Sequence, residues 1–559
     1  MSRRIVSALL IGNLVAAFAT PVAAGASATQ YEPVRVRHIG PDYNGGRPLP
    51  LAVPQLESWS LDAGRSKVGD TKTWFALDDE KREIYTKPFE LRARGSNVEV
   101  WVTPDLSFPA DDCRNDERIQ VTERQVNYLV KQFDGNIYPK ESRAFSRPPD
   151  RNGQKAEGTN IVGGGPDHFR GDGDDIVVLV DNVRDRNYYD PNNQSNLPYI
   201  IGFFYSEFNR LTDRNVMTID GYDWIHRTGE NPPHEPDPTD LCKSQPARPN
   251  LIEQTLAHEY QHLLEHYEDP NEAVWLNEGL SDWAQTLTGY AHPERSIHEA
   301  GFDRHVQCFL GYCGQQTAYN PNPTDMGPEN SLTVWEDQEG EILAEYGATY
   351  TFMELLSSRY GRPFMKMLHR IDANGLGSVR RALRKIEARA TVKSLIRDWA
   401  AAMTLDGVID DGATLNSSRK PSKVTVRRLD ATVNWSTEHA YSTPGAPPNG
   451  SDFVRLRDST GLFFTAAEIE SLTFDSTTDA DFTLQLVAYD AAHTQAWLAQ
   501  VPLGPDNSAS VSGAELDEMI GTTADTVAAI VTVHDPRESS EAYPNYRLTV
   551  NGTLQPGGS

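Results

Sequence analysis

Apolar and polar residues alternate in short runs through the first part of the chain. From about Thr71 the runs TWFALDD and EIYTKPFELRARG have this pattern, and Val98, Val100 and Val102 fit a half-buried strand. Apolar residues at helical spacing predict a helix over 120–133. Continuous apolar runs bounded by turn residues predict three further strands, IVVLVDNV, YIIGFFYS and NVMTIDGYDW. This part of the chain therefore predicts a sheet accompanied by helices.

The middle of the chain has the period of amphipathic helices. One helix is predicted to start near Asn250, where Glu253 three positions further on matches a capping box. Asp-Pro-Asn at 269–271 ends that helix and caps a second, which ends at Gly289. A third helix is predicted over 341–360, and more helical patterns follow. Strands before helices predict an α+β domain.

The pattern changes after Asp406, where Ser, Thr, Asp and Val dominate. Short alternating runs are separated by turn residues at roughly regular spacing: KVTVRRL, DFVRLRD, SLTFDS, DFTLQLVAYD, TQAWLAQVPL, TVAAIVTVHD and YRLTVNGTL. Such runs predict an all-β sandwich, here over residues 406–559.

The first residues have the features of a secretion signal. Arg3 and Arg4 precede a mostly apolar run, and small residues follow it, so we predict a signal peptide over 1–28. Residues 29–67 are rich in Pro and Gly and predict an N-terminal extension, which can be a propeptide. The α+β domain is then predicted over 68–405. No later stretch is apolar enough to span a bilayer, so we expect a secreted protein without a transmembrane segment.

Composition narrows the classes of partner. The chain has 559 residues, of which 38% are hydrophobic, and a formal net charge of −27. An acidic surface does not favour nucleic acid or anionic membranes, because both require positive charge on the protein.

Four cysteines remain after export. Cys308 and Cys313 lie five apart across a turn and can pair locally, and Cys113 with Cys242 would then close a long loop. An even count in a secreted chain favours two disulfides, although four cysteines allow three pairings. A zinc site of four thiolates is the alternative, but its usual C-x-x-C spacing is absent.

His258-Glu259-Tyr260-Gln261-His262 forms an H-E-x-x-H within the first central helix. Residues four apart lie on one helix face, so both histidines can direct an imidazole to one metal ion. Neutral imidazole suits zinc. Glu259 is rotated off the ligand direction, where a carboxylate can serve as general base for a zinc-activated water. Chance can also produce this motif on an amphipathic helix.

The next helix adds carboxylates at a useful spacing. Glu278 can be a third, oxygen ligand that leaves one coordination position open. Asp282 lies four residues further on the same face, where it can accept a hydrogen bond from a zinc histidine. The alternative interpretation is that both are surface carboxylates. His266 is a rival ligand, but ~12 Å of helix rise separate it from His258.

H-E-x-x-H followed by N-E-x-x-S-D resembles the gluzincin zinc metallopeptidases, the thermolysin-like clan. HEYQHLLEH, WLNEGLSDWAQ and AEYGATYTFMELLSSRYG are most similar to its hyicolysin-type family, over about residues 70–400. The resemblance implies a zincin-type catalytic domain of mixed sheet and helices. The family's zinc ligands, general base and supporting aspartate correspond here to His258, His262, Glu278, Glu259 and Asp282. The spacing from His262 to Glu278 is shorter than in thermolysin, so that protein's substrate pocket does not carry over.

The resemblance also suggests groups outside the motif. Many gluzincins stabilise the oxyanion with a tyrosine or histidine, and Tyr346 in Y-G-A-x-Y-x-F resembles that tyrosine. Tyr350 is the alternative, and either residue can instead be a core tyrosine. By the same analogy, the YIIGFFYS strand is the edge on which an extended peptide pairs.

The resulting hypothesis is a secreted zinc endopeptidase that acts on protein or peptide substrates. A zinc aminopeptidase is one alternative, although we identify no set of acidic groups for a substrate amine. An adhesin or other binding protein with an inactive peptidase-like domain is another. One catalytic zinc is the expected cofactor. The acidic cluster Asp172, Asp174 and Asp175 can bind calcium or be a solvated turn.

Overall fold

A mixed sheet with helices forms the first part of the fold, and additional sheets follow. The computed structural model describes residues 49–50, 66–190, 199–240, 242–335, 340–437, 444–538 and 542–557. The predicted signal peptide lies outside these residues, as does nearly all of the predicted extension 29–67. The general prediction of a mixed sheet plus helices, followed by further sheets, is confirmed.

The N-terminal sheet places the predicted strands side by side. Its strands are β1 (Thr71–Asp78), β2 (Glu83–Arg94), β3 (Val98–Val102), β4 (Ile176–Asp181), β5 (Gly202–Phe203) and β6 (Asn215–Asp220). Their order is β1-β2-β3-β4-β6-β5, with β3, β4 and β6 parallel and the other neighbours antiparallel. YIIGFFYS forms much less strand than predicted, because the chain enters a helix at Ser206. The short β5 lies at one edge of the sheet, and β1 lies at the other.

Both faces of this sheet are covered. In β4, Val178 and Val180 face the core shared with the helices, whereas Val177 and Leu179 face a second cluster that includes Trp101. Every residue of β4 is buried. A strand buried on both faces has no polar side, which explains the continuous apolar run IVVLV.

Helices pack against both faces of the sheet and continue beyond it. They are α1 (Glu123–Gln132), α2 (Tyr138–Ala144), α3 (Ser206–Thr212), α4 (Trp224–Arg227), α5 (Leu251–Glu268), α6 (Val274–Thr288), α7 (Arg304–Phe309), α8 (Ile342–Tyr360), α9 (Arg362–Leu368), α10 (Leu376–Lys385) and α11 (Val392–Asp410). The break between α5 and α6 and the end of α6 at Gly289 are as predicted, but residues 269–271 do not cap α6, because its N-cap is Ala273, which has no side-chain hydrogen bond to offer. The helices predicted over 120–133 and 341–360 are also present.

The predicted capping box at the start of α5 is wrong. Asn250 adopts a left-handed conformation and makes no side-chain cap, and its amide donates to the carbonyl of Gly229 over 2.8 Å. Glu253 accepts a hydrogen bond from the amide of Gly229 instead, also at 2.8 Å. A loop distant in sequence thus supplies the partners that the motif would have supplied locally.

Two further sheets follow α11 and share one core. The larger has the order β7-β11-β10-β13-β8, and the smaller β12-β9-β14-β15. Their strands are β7 (Thr414–Asn416), β8 (Ser451–Arg455), β9 (Ser471–Asp475), β10 (Asp481–Tyr489), β11 (Gln495–Val501), β12 (Ala509–Ser512), β13 (Thr526–His534), β14 (Arg547–Val550) and β15 (Thr553–Leu554). Apolar residues of both sheets, such as Leu486 and Phe474, meet in that core.

This region differs from the predicted all-β sandwich in two places. A helix, α12 (Gly513–Ile520), follows β12, and its capping box of Ser512 and Glu515 is the sequence signal that the prediction missed. The run KVTVRRL forms no strand. Its buried valines pack on the helical core, and the carboxylate of Asp406 accepts the amides of Val426 and Ala431.

The larger sheet also packs against the helices. Phe453, Val487, Leu498 and Ile530 belong to the same apolar core as Trp399 of α11. The sheet therefore has two buried faces, and the C-terminal region is joined to the helical region by a continuous core.

Two disulfides connect the cysteines as predicted, Cys113 with Cys242 and Cys308 with Cys313. The first joins segments 129 residues apart in the sequence. Among the described residues, none of the helices combines the length and the apolar character that crossing a bilayer requires.

Candidate metal centre and active site

Three nitrogen and oxygen atoms form a small triangle between α5 and α6. The Nε2 atoms of His258 and His262 lie 3.0 Å apart, and Oε2 of Glu278 lies 3.2 Å from each. With bonds of about 2.0–2.1 Å, ligands at tetrahedral corners lie about 3.3 Å apart, so the triangle matches three corners of a zinc site. A fourth corner remains for a water or substrate.

No other part of the described chain offers a comparable group. Within the described residues, this is the one set of three or more His, Cys, Asp or Glu side chains whose ligand atoms come this close together. Asp172, Asp174 and Asp175, considered for calcium, form no such set. Asp175 is buried, and its pKa is raised to about 7 by that burial and by Glu99. The described structure therefore gives the calcium alternative no support.

Side chains of α6 orient the two histidines. Nδ1 of His258 lies 3.0 Å from Oδ1 of Asp282, and Nδ1 of His262 lies 2.7 Å from Oδ1 of Asn277. An oxygen acceptor at Nδ1 holds the proton there and leaves the Nε2 lone pair for a metal ion. Asp282 was predicted in this position from helical spacing, and Asn277 was not singled out.

The charges of the triangle favour a cation. Burial lowers the pKa of His258, but hydrogen bonds to Asp282 and Glu278 outweigh burial and raise it well above the ordinary value. In His262, burial is likewise outweighed, by the charge of Glu278. The carboxylates thus stabilise positive charge at the position where protons or a divalent ion can bind.

Glu259 lies beside the triangle and not in it. Its side chain is almost fully buried, at 5% exposure, and lines a cleft that also includes His258. Burial raises the pKa of Glu259, and the neighbouring His258 and His262 counteract part of that rise. A carboxylate with a raised pKa can both accept and return a proton near neutral pH.

Helix α7 adds a histidine that the sequence did not reveal. Nδ1 of His305 lies 3.1 Å from Oδ2 of Asp282, so the two oxygens of Asp282 serve two different histidines. The ring of His305 stacks on Tyr346, with centroids 4.5 Å apart. Both rings line the cleft. His305 lies far from both motifs in the sequence and has no local pattern that marks it.

The structure separates the two candidate tyrosines. Tyr346 lines the cleft with its ring 6.3 Å from that of His258, and burial raises its pKa well above the ordinary value. Tyr350 is fully buried, and its hydroxyl lies 2.6 Å from that of Thr286 in the core. Tyr350 is therefore a core tyrosine, whereas Tyr346 faces the candidate site.

His266, the rival ligand, lies away from the triangle. Its ring packs near Phe204 and Tyr267, and burial lowers its pKa to about 4. A neutral, half-buried imidazole next to aromatic rings is a packing residue.

A buried polar chain extends behind His262. Ser281 lies 3.0 Å from Nδ1 of His262 and donates a hydrogen bond to Gln261. Gln261 donates to Glu265 over 2.9 Å, and Glu265 pairs with His369. These residues are buried and hydrogen-bonded to one another, so they hold α5, α6 and the segment after α9 in register.

The cleft in front of the triangle has a volume of about 230 Å³. The residues before β5, the start of α5 and the segment 301–305 form its walls. β5 lies very close to α5. A Cβ at Gly202 would be only 2.5 Å from Cγ2 of Thr255. Glycine at this position therefore allows the edge strand to reach the motif helix.

Comparisons with known proteins add no relative. A scan of the chain against protein-family models finds no match, and a search of curated proteins finds none either.

Proposed function

We propose that the protein is a secreted zinc-dependent endopeptidase that cleaves proteins or peptides. The observation that supports this most is the triangle of His258, His262 and Glu278 beside the carboxylate of Glu259 at an open cleft. Export rests on the predicted signal peptide. Two disulfides agree with it, because disulfides persist in oxidising compartments.

His258, His262 and Glu278 would hold the zinc ion, with Asp282 and Asn277 fixing the tautomers of the two histidines. A bound zinc ion supplies Lewis acidity, which polarises a carbonyl group and makes water more acidic. The remaining steps belong to side chains of this protein.

Glu259 acts as the general base. It takes a proton from the water that attacks the scissile carbonyl and then transfers this proton to the leaving amine. Its burial supports this role, since a raised pKa makes the protonated form accessible during the reaction.

Tyr346 and His305 are the candidate hydrogen-bond donors to the oxyanion. Tyr346 carries a hydroxyl, and His305 has Nε2 available for the cleft because Nδ1 faces Asp282. Hydrogen-bond donors placed before the reaction stabilise the negative charge that develops on the carbonyl oxygen. We propose Tyr346 as the oxyanion donor, positioned by its stacking on His305.

We propose that the substrate backbone binds along the edge strand β5. β5 is the outermost strand of its sheet, and residues 199–202 form one wall of the cleft. An extended peptide can pair along such an edge, and this arrangement favours cleavage within a chain over cleavage at its end.

The test is Glu259→Gln, with Glu268→Gln as control. Glu268 is an exposed residue at the end of the same helix. We expect the first variant to bind one zinc ion per chain without hydrolysing peptides, and the control to do both. Full activity of zinc-loaded Glu259→Gln would contradict the role of Glu259.

The alternatives give different results in the same assay. Peptides blocked at the amino terminus remain substrates of an endopeptidase but not of an aminopeptidase. A wild-type protein that binds no zinc would favour the adhesin or binding-protein hypothesis.

A further inference from the structure

Two arginines line the cleft beside the candidate catalytic groups. Arg248 lies in the loop before α5, and Arg304 is the first residue of α7. Both line the same cleft as His258 and Glu259. Neither arginine lies in the motifs, and neither contacts the metal triangle.

Neither guanidinium forms an ion pair with a carboxylate within the described part of the chain. There, no carboxylate lies within 4.0 Å of either guanidinium, and the guanidinium of Arg248 has no hydrogen bond. Arg304 donates to the carbonyl of Asn322 at 3.3 Å and to the hydroxyl of Thr324 at 2.9 Å. Its Nε is buried and lacks a partner among the described residues.

The charge of Arg248 also acts on Arg304. Burial, together with the charge of Arg248, lowers the pKa of Arg304 to about 10. Both side chains stay protonated at neutral pH, so two like charges share a partly desolvated space. Uncompensated buried charge is costly, and an anion in the cleft would remove that cost.

The acidic residue nearest to Arg304 in the sequence has another hydrogen-bond partner. Asp303 lines the cleft but caps α7, where its carboxylate accepts the amide of Val306 at 3.0 Å. Burial raises the pKa of Asp303. The hydroxyl of Tyr199 accepts a hydrogen bond from Arg227 over 2.6 Å and is likewise engaged. The positive pair stands out in a chain with a net charge of −27.

We propose that Arg248 and Arg304 form a subsite for a carboxylate of the bound peptide, an inference that rests on the proposed peptidase function. Guanidinium groups present paired N–H donors that match the two oxygens of a carboxylate. An Asp or Glu side chain near the scissile bond, or a free C-terminus, carries this group. The subsite selects substrates and takes no part in bond cleavage.

The experiment compares peptides that differ only in this group. Matched peptides, blocked at both ends, carry Glu or Gln at each position within three residues of the cut. A further pair has a free or an amidated C-terminus. We expect the carboxylate-bearing member of one pair to have kcat/KM roughly 10- to 100-fold higher, from a charge-assisted pair of hydrogen bonds.

Variants then assign the preference to the two arginines. Arg248→Gln and Arg304→Gln should each move the carboxylate-to-amide ratio of kcat/KM towards one, and Arg248→Glu should lower that ratio below the value of either Gln variant. Arg389→Gln, at an exposed position in the helical region, is the matched control and should keep the wild-type ratio. A ratio that stays high in the cleft variants overturns the assignment.

The outcomes separate this inference from the proposed function. A wild-type enzyme that cleaves Glu and Gln peptides equally overturns the subsite and leaves the peptidase function intact. If zinc-loaded protein cleaves no peptide, the peptidase function fails. Calorimetry on Glu259→Gln then decides the subsite: tighter binding of the Glu peptide or the free C-terminus supports it, and equal binding overturns it.

Discussion

Replacing Asp282 by Asn tests whether one buried carboxylate supports two histidines. Asp282 is fully buried, and its oxygens lie 3.0 Å from Nδ1 of His258 and 3.1 Å from Nδ1 of His305. Burial raises its pKa, but the two histidines outweigh burial, and the pKa falls below the ordinary value. The folded protein therefore holds Asp282 as a carboxylate.

The existing hydrogen bonds determine the orientation of the asparagine side chain in this variant. Nε2 of Gln285 donates to Oδ1 of Asp282 over 2.7 Å, so the amide oxygen must take that place and also serve His258. The amide nitrogen then faces Nδ1 of His305, which must give up its proton there. Partners behind metal ligands typically contribute about 10- to 100-fold in affinity, or roughly 1.4–2.8 kcal/mol. We expect zinc affinity to fall by about this factor.

The assay is competition for zinc with a chromophoric chelator at constant pH. Asp406→Asn is the matched control, because Asp406 is also fully buried and accepts two hydrogen bonds, but lies outside the site. We expect the control to keep the wild-type dissociation constant. An unchanged dissociation constant in folded Asp282→Asn would refute the claim that this carboxylate supports the metal ligands.

Three further predictions follow. Gly347→Ala places a Cβ 2.1 Å from the carbonyl oxygen of His305, so we expect a free energy of unfolding in urea that is lower by about 1–3 kcal/mol, together with reduced activity. Gly377→Ala is the control, because the space around it is open and the substitution should not lower stability. Tyr346→Phe should lower kcat roughly 10²- to 10³-fold at unchanged zinc content, and an unchanged kcat would exclude it as oxyanion donor. Burial raises the pKa of Glu272 from 4.5 to about 8. Its stabilising contribution is therefore present at low pH and lost as pH rises through about 8, up to a limit of roughly 5 kcal/mol. Glu272→Gln should remove this loss, so the free energy of unfolding of the variant, measured in urea, should rise relative to that of the wild type between pH 5 and pH 9. If the two stability curves run parallel over this range, the prediction is wrong.

Much of the fold follows from local patterns. Period-two and continuous apolar runs predict β1–β4 and β6, and helical spacing with clear end signals predicts α5, α6 and α8. The failures lie where distant residues compete with local signals. Gly229 takes over the partners at the start of α5, and Asp406 binds the amide of Val426 in the expected strand KVTVRRL.

The helix period by itself determines the core of the candidate site. Residues four apart share a face, so His258 with His262, and Glu278 with Asp282, are paired by backbone geometry before any tertiary contact forms. The crossing of α5 and α6 then brings the two pairs together. Only the packing of α7 on α8, close at Gly347, decides that His305 stacks on Tyr346 and shares Asp282.

The two arginines of the cleft depend on tertiary structure in the same way. Arg248 and Arg304 lie in separate loops and helices, and no spacing rule relates them. Sequence therefore determines which groups can bind a metal ion, because those groups belong to one or two helices. Tertiary structure alone decides what surrounds the metal site, because the residues of the cleft come from segments that meet only when the chain is folded.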